Sequence, residues 1–223
     1  MAERSIVEQR ICDPAFQYFH PYFYNHPYAL RCELGIGDTN EEYMANARKR
    51  ALEIYHLLFP KGADAIIFNH WIIDLCGCDE DEKLFFSESI NEITDYKVAA
   101  FSRSLRFLLT YQFKYRNVVV RNLETYATPE DWFYGLDRRN RMVCYSDGIG
   151  FDFQDLIDRQ LQETGEEVSF VSFANECIYS IYDDRGCDVV FMTHEKLREF
   201  YAPLQPYFLA YDAKEMARRY NEG

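Results

Sequence analysis

Residues 177–192 read CIYSIYDDRGCDVVFM and carry the clearest local structural signal in the chain. Two apolar runs rich in β-branched and aromatic residues flank a short polar turn, which is the pattern of a β-hairpin. Asp183 suits the first position of the turn, and Gly186 suits the left-handed position that follows a type I turn. We therefore predict a three-residue loop with a glycine bulge, and we expect Gly186 to have a positive φ. Both strands are apolar on both faces, which favours a central hairpin covered from two sides.

Other local signals predict the elements around the hairpin. A Thr or Asp just before an amphipathic run marks the start of a helix. We predict helices that start at Thr39 (to about Phe59), Thr128 (short), Asp152 (to about Glu163), Thr193 (closed by Pro203) and Asp212 (a capping box with Glu215, to about Tyr220). We predict strands over 28–35, 63–73, 111–116, 142–146 and 168–173, the last joining the hairpin in an antiparallel meander. The fold class is therefore α+β, with a mainly antiparallel sheet and packed helices, as one domain over 1–223 or as two lobes, 1–95 and 128–223.

Composition limits the class of protein. The chain has 223 residues, of which 48% are hydrophobic, so it has enough apolar surface for a core. The formal net charge of −13 repels nucleic acid and anionic membranes from the molecule as a whole. No apolar run approaches the roughly 18 residues of a membrane span, and no apolar signal segment follows the N-terminus. We therefore expect a cytoplasmic protein without membrane association, whose seven cysteines are thiols.

Charge is distributed unevenly in the middle of the chain. Residues 74–95 contain eight acids and one lysine, whereas residues 97–121 contain six bases and no acid. We expect the acidic segment, with Glu80, Asp81 and Glu82 at its centre, to lie on the surface and to bind a basic partner. Lys114 and Arg116 alternate with aromatic residues, so one face of a basic strand is suited to nucleic acid or phosphate. The alternative is that the basic strand pairs with the acidic segment of the same molecule.

Acidic residues at the hairpin raise the question of catalysis. Asp183, Asp184 and Asp188 lie near His194 in sequence, and carboxylates beside a histidine suit acid–base chemistry or phosphate processing. The alternative is turn chemistry, in which Asp183 bonds its own backbone and Arg185 pairs with Asp188. The chain has no nucleophile motif, phosphate loop or dinucleotide fingerprint. We therefore expect no cofactor and no metal site.

Three stretches together carry a resemblance to a known family. They are YSIYDDRGCD at residues 179–188, FLAYD at residues 208–212 and the predicted opening strand ALRCELG at residues 29–35. With a capped helix between the first two, this arrangement resembles a bacterial family of unknown function, numbered 3885 among such domains. The resemblance implies the architecture and a bacterial origin, and it implies no activity.

The hypotheses for function follow from these observations. Acidity, 18 Tyr, 18 Phe and the lack of catalytic motifs favour a protein-interaction module, immunity-like or regulatory, that binds a basic protein. One alternative is a small-molecule or phosphate-processing enzyme that uses the hairpin aspartates, and another is a nucleic-acid or nucleotide binder that uses residues 103–121. The candidate binding residues are Arg31, Glu33, Glu80, Asp81, Glu82, Lys114, Arg116 and Arg185. The oligomeric state stays open.

Overall fold

The computed structural model describes residues 6–11, 13, 16, 18, 21–73, 114–119, 139–147, 152–162 and 168–222, with the backbone alone for residues 8, 68–73, 114–119 and 139–147. The chain forms two compact units. The first consists of Met1–Phe68 and Tyr145–Gly223, and the second consists of Asn69–Cys144. The described helices are α1 (Ile6–Ile11), α2 (Tyr22–Asn25), α3 (Asn40–Leu58), α4 (Phe153–Leu161), α5 (His194–Leu204) and α6 (Ala213–Glu222). The described strands are β1 (Ala29–Glu33), β2 (Ala65–Ile73), β3 (Lys114–Val119), β4 (Arg139–Asp147), β5 (Val168–Ser172), β6 (Cys177–Asp183) and β7 (Gly186–Phe191).

The first unit is built on an antiparallel sheet in which the predicted hairpin is central. Its strands pair in the order β1-β7-β6-β5-β2. Consecutive pairing of β5, β6 and β7 is the predicted meander, and every residue of β7 is buried. The α+β prediction, with a mainly antiparallel sheet and a central C-terminal hairpin, is confirmed. The second unit contains the rest of β2, all of β3 and most of β4.

Aromatic packing fixes α3 and α4 on one face of this sheet. The hydroxyl of Tyr179, which is fully buried, donates to the carbonyl of Ala51 on α3 at 3.1 Å. Tyr55 of α3 stacks on Phe153 of α4 with ring centroids 4.4 Å apart and meets Phe170 of β5 edge to face at 5.1 Å. Because burial of each such ring contributes roughly 2 kcal/mol, this cluster is a large part of the core.

The predicted caps start three of the helices. A side-chain oxygen accepts a hydrogen bond from the amide three residues later in Thr39 (3.2 Å), Asp152 (3.1 Å) and Thr193 (3.3 Å). The predicted capping box at Asp212 is wrong, although α6 forms where it was expected. The amide of Asp212 donates to the carbonyl of Leu209, and the carboxylate of Glu215 is held by Arg218 and Arg219. The arginines of α6 therefore replace the reciprocal bond of the box.

The hairpin turn differs from its prediction. Asp183 pairs with Gly186, so the loop is the two residues Asp184 and Arg185, and the predicted three-residue loop is wrong. Gly186 is not among the described residues with a positive φ, and neither loop residue is. Two-residue loops usually need positive φ values to match the twist of the strands. Here the strand register shifts at Tyr182 instead, and this bulge accommodates the twist.

Gly186 is required by close approach rather than by its φ. A Cβ atom there would overlap the hydroxyl of Tyr182 and would lie 2.7 Å from the carbonyl oxygen of Cys32. The missing side chain lets the bulged Tyr182 lay its ring across the start of β7. The sequence signal was therefore correct in its residue type, but the physical cause is packing.

The cysteines with described side chains are thiols. Cys32, Cys177 and Cys187 are free and buried, and Cys32 lies directly opposite Cys187 in the register of β1 and β7. Burial raises the pKa of the Cys177 thiol. These thiols therefore act as small apolar core residues.

Candidate functional site

An ion pair between β1 and β7 lies at the centre of the candidate site. Strand register places Arg31 opposite Asp188, and Nε and Nη2 of Arg31 donate to the two carboxylate oxygens at 2.8 and 3.2 Å. The amide of Phe23 on α2 donates to the same carboxylate at 3.0 Å. Only 12% of the Arg31 side chain and 3% of the Asp188 side chain are exposed. Asp188 is therefore a buried carboxylate with three donors.

Aromatic rings hold the guanidinium of Arg31 in place. Its central carbon lies 4.6, 4.8 and 5.4 Å from the ring centroids of Phe23, Tyr24 and Tyr182. Nη1 donates to the hydroxyl of Tyr24 at 3.0 Å. Burial by itself lowers the pKa of Arg31, but the hydrogen bonds and charge of Asp188 raise that pKa above its usual value. Arg31 is thus a fixed cation.

A second ion pair closes the hairpin loop. The carboxylate of Asp183 accepts from the backbone amide of Arg185 at 2.8 Å, from its Nε at 2.7 Å and from its Nη2. Asp183 is thus buried beneath a guanidinium that is 76% exposed. The expected bond of Asp183 to its own backbone forms, but the expected pairing of Arg185 with Asp188 is wrong. Asp188 faces α2, whereas Arg185 stays at the loop.

His194 has a role apart from the aspartates. Its Nε2 lies 3.1 Å from the carbonyl oxygens of both Arg219 and Tyr220, in the last turns of α6. Its ring packs against Tyr28 with centroids 5.7 Å apart. His194 contacts none of the three hairpin aspartates. The four catalytic candidates therefore occupy separate environments: Asp183 and Asp184 at the loop, Asp188 under α2, and His194 against the end of α6.

Carboxylates converge on Tyr43 beside the hairpin loop. Burial raises the pKa of Tyr43, the negative charges of Asp184, Asp183 and Glu33 raise it further, and Arg185 opposes them. These residues come from three elements: β1, the first turns of α3 and the hairpin. We call this surface, made of Glu33, Tyr43 and residues 182–185, the tip face.

Glycine positions Tyr43 at the tip face. A Cβ atom at Gly35 would overlap the ring of Tyr43, so the segment after β1 passes directly over that ring. Beside it, Gly37 has a φ of 149°, and a Cβ atom there would lie 2.9 Å from the backbone nitrogen of Tyr43. The two glycines therefore let the chain turn from β1 into α3 while Tyr43 stays next to the hairpin.

The outer edge of β1 is covered by hydrogen bonds. Its outward carbonyl groups accept bonds from two arginine side chains and from one backbone amide. These bonds run from Arg219 Nη1 to Ala29 (3.0 Å), from Leu209 N to Arg31 (3.1 Å) and from Arg50 Nε to Glu33 (2.8 Å). An open strand edge is a template for adding a strand from another chain. A partner that approaches at β1 must therefore recognise side chains rather than add a strand to the sheet.

The remaining binding candidates belong to the middle of the chain. Glu80, Asp81 and Glu82 lie outside the described residues. Lys114 and Arg116 lie on β3, where only the backbone is described. Pairing of the acidic segment with the basic strand stays a prediction, as does a binding face over residues 103–121.

The family described as Domain of unknown function (DUF3885) matches residues 10–212. The chain belongs to the DUF3885 family. The hairpin, Arg31 and Tyr43 all lie within the matched range, and the resemblance seen in the sequence is confirmed. No curated protein and no solved structure matched the chain. Among the described residues, no helix is long and apolar enough to cross a membrane.

Sequence reasoning missed several residues of this DUF3885 site. Tyr24, Tyr43 and Tyr182 contribute rings or hydroxyl groups, and Asp212 lies 3.8 Å from Nη1 of Arg31. The excess of tyrosine indicated an aromatic surface but did not show which tyrosines form it. The local sequence at Asp212 fits a helix cap, whereas its approach to Arg31 depends on the folded chain.

Proposed function

We propose that this DUF3885 protein is a protein-interaction module that binds a basic partner through the tip face. The observation that carries the proposal is the set of carboxylates around Tyr43. Of Glu33, Asp183 and Asp184, only Asp183 has an ion-pair partner among the described residues. Hydrated carboxylates without a cation of their own attract a basic partner and steer its approach.

The residue types of the tip face support this role. Tyrosine and arginine are enriched at the centres of protein interfaces because they offer rigid area together with hydrogen-bonding groups. Beside the carboxylates, these groups come from Tyr43 and Tyr182, which are half-buried, and from the exposed Arg185. The covered edge of β1 also favours recognition by side chains over addition of a strand.

The alternatives have less support from the described residues. Catalysis at the hairpin would need a free carboxylate beside the histidine, but Asp188 is bonded to Arg31 and to the amide of Phe23, and Asp184 lies at the loop, apart from His194. His194 is bound to backbone carbonyls. The other alternative, nucleic-acid or nucleotide binding, depends on residues 103–121. The proposal includes a bacterial origin, a cytoplasmic location and an immunity-like or regulatory role. It also includes a contribution of Glu80, Asp81 and Glu82 to binding of the basic partner.

Peptide binding tests the proposal. The probe is a fluorescein-labelled peptide that alternates lysine or arginine with tryptophan, titrated by fluorescence anisotropy at low and at physiological salt. The double variant Glu33→Gln with Asp184→Asn should bind about tenfold more weakly at low salt, because it removes two steering charges. The matched control is Glu195→Gln with Glu199→Gln, which removes two charges from exposed positions on α5.

The two variants separate a local effect from an effect of net charge. Equal weakening by both would mean that the overall charge attracts the peptide and that the tip face has no special part. A parent protein that does not bind the peptide at low salt would contradict the proposal. Unchanged binding by the tip-face variant would contradict it as well.

A further inference from the structure

A cavity of about 660 Å³ lies at the end of the sheet remote from the hairpin loop. It is bounded by α1, by the loop between α3 and β2, and by the turn between β5 and β6. Solvent reaches it, because the lining residues Pro60, Lys61 and Asp64 are exposed. Binding sites for small molecules usually have volumes of about 300–1,000 Å³. The cavity is therefore large enough for such a ligand.

Hydrogen bonds hold two walls of the cavity in place. The amide of Asp64, where the loop after α3 enters β2, donates to the carbonyl of Val171 at 2.9 Å. Nδ2 of Asn175, in the turn after β5, donates to the carbonyl of Leu58 at the end of α3, at 2.7 Å. Because these walls are already ordered, a ligand binds without the entropic cost of fixing them.

Two oriented acceptor oxygens in the lining have no donor among the described residues. Oδ2 of Asp64 accepts from the amide of Phe173 at 2.7 Å and from the hydroxyl of Ser172 at 3.4 Å, which leaves Oδ1 unused. The bond from Nδ2 of Asn175 orients its side chain and leaves the amide oxygen unused as well. A carboxylate oxygen and an amide oxygen suit a primary ammonium group, which has three N–H donors.

Lys61 supplies a positive charge to the same cavity. Its side chain is exposed, and no ion pair joins it to Asp64 or to any other described residue. Opposite charges that line one cavity without pairing with each other match a ligand that carries both charges. Apolar surface for the rest of such a ligand comes from Val7, Pro60, Ala63 and Ala174.

We propose that this cavity binds a short apolar peptide with free termini. The N-terminal ammonium group of the peptide donates to Oδ1 of Asp64 and to the amide oxygen of Asn175, and its C-terminal carboxylate pairs with Nζ of Lys61. The cavity is larger than a single amino acid, which favours a peptide of two or three residues.

The peptide site is separate from the tip face. The seven residues of β6 lie between the turn at the cavity and the hairpin loop, which is a distance of roughly 20 Å. Binding of the short peptide is therefore independent of the basic partner.

Isothermal titration calorimetry of the full chain with three probes tests the proposal. The probes are leucyl-leucine, its N-acetyl form, which lacks the ammonium group, and its C-terminal amide, which lacks the carboxylate. The N-acetyl form should bind about tenfold more weakly than leucyl-leucine, because two oriented acceptors lose their donor. The amide should bind about threefold more weakly, because an exposed lysine forms a weak pair.

Two variants assign these preferences to residues. Asp64→Asn should remove most of the preference for leucyl-leucine over the N-acetyl form, while its remaining side-chain oxygen still accepts from the amide of Phe173. Lys61→Gln should remove the preference over the amide. The matched controls are Glu195→Gln on α5 and Lys214→Gln on α6, which change one exposed charge each and should bind all probes like the parent.

The possible results separate this proposal from the proposed function. A parent protein that binds none of the probes at millimolar concentration would show that the cavity is not a peptide site. Equal binding of the three probes, or unchanged preferences in both variants, would also overturn the proposal. Should Asp64→Asn fail to fold, Lys61→Gln at its exposed position decides the result. The tip-face variant Glu33→Gln with Asp184→Asn should bind leucyl-leucine like the parent, whatever its affinity for the basic peptide.

Discussion

Two aspartates of the hairpin each pair with an arginine, and the two pairs differ mainly in their exposure. In the pair of Asp188 with Arg31, both side chains are buried, at 3% and 12% exposed. In the pair of Asp183 with Arg185, the arginine is 76% exposed. A buried pair binds β1 to β7 because separating it leaves a charge without water, whereas a pair in water is worth little. Identical chemistry therefore stabilises the fold within β7 and is available for recognition at the loop that precedes it.

The largest effect is expected at the buried pair. Asp188→Asn should lower the free energy of unfolding by roughly 3–5 kcal/mol, because it leaves the cation of Arg31 buried without its partner. Asp183→Asn should cost about 1 kcal/mol, since water can solvate Arg185. Urea denaturation of the two variants measures both values. Equal losses would show that exposure does not separate the two pairs.

Gly186 lies between the two pairs and tests the packing that joins them. Gly186→Val should cost roughly 1–3 kcal/mol, because its side chain would collide with Tyr182 and with the backbone at Cys32. A thermal melt that equals that of the parent would contradict this close approach.

A double variant separates collision from backbone strain. Gly186→Ala combined with Tyr182→Leu should recover part of the stability that Gly186→Ala loses, because the smaller side chain makes room. A cost that is the same with and without Tyr182 would place the strain in the backbone near Cys32 instead.

A further prediction concerns the acidic segment at residues 74–95, which lies outside the described part of the chain. Replacing Glu80, Asp81 and Glu82 by Gln, Asn and Gln should slow association with the basic peptide at low salt, because exposed charges act mainly on the rate of encounter. The melting temperature should stay within a few degrees of that of the parent. Stopped-flow fluorescence and a thermal melt measure these two quantities. Unfolding of the variant would show that the segment pairs with the basic strand, and an unchanged rate at every salt concentration would make it a solubilising surface only.

The smallest effect is expected at Glu215, whose exposure is intermediate. Hydrogen bonds from Arg218 and Arg219 lower the pKa of Glu215 to about 2, from a usual value of 4.5. A lowered pKa contributes stability that is present above pH 4.5 and is lost as the pH falls toward about 2. The parent should therefore exceed Glu215→Gln in melting temperature near pH 6, and the difference should vanish near pH 2. The difference should be small because the side chain is 36% exposed. A difference that persists at pH 2 would contradict the assignment.

Much of the secondary structure could be predicted because its causes are local. The caps at Thr39, Asp152 and Thr193 satisfy backbone amides three residues away, so a short stretch of sequence contains the whole interaction. The hairpin could be located for the same reason. Its loop length could not, because the bulge at Tyr182 depends on where that ring packs.

The helix starts at Thr39, Asp152 and Thr193, the central apolar hairpin, the family and the excess of negative charge follow from the amino-acid sequence alone. Which arginine meets which aspartate depends on the folded chain: Asp188 pairs with Arg31, which is 157 positions away, rather than with Arg185. The same holds for Asp212, which fits a cap locally and faces Arg31 in the folded chain. The physical reason is that the energy of a charge depends on its burial and on its neighbours in space, and strand register brings those neighbours together from distant parts of the chain.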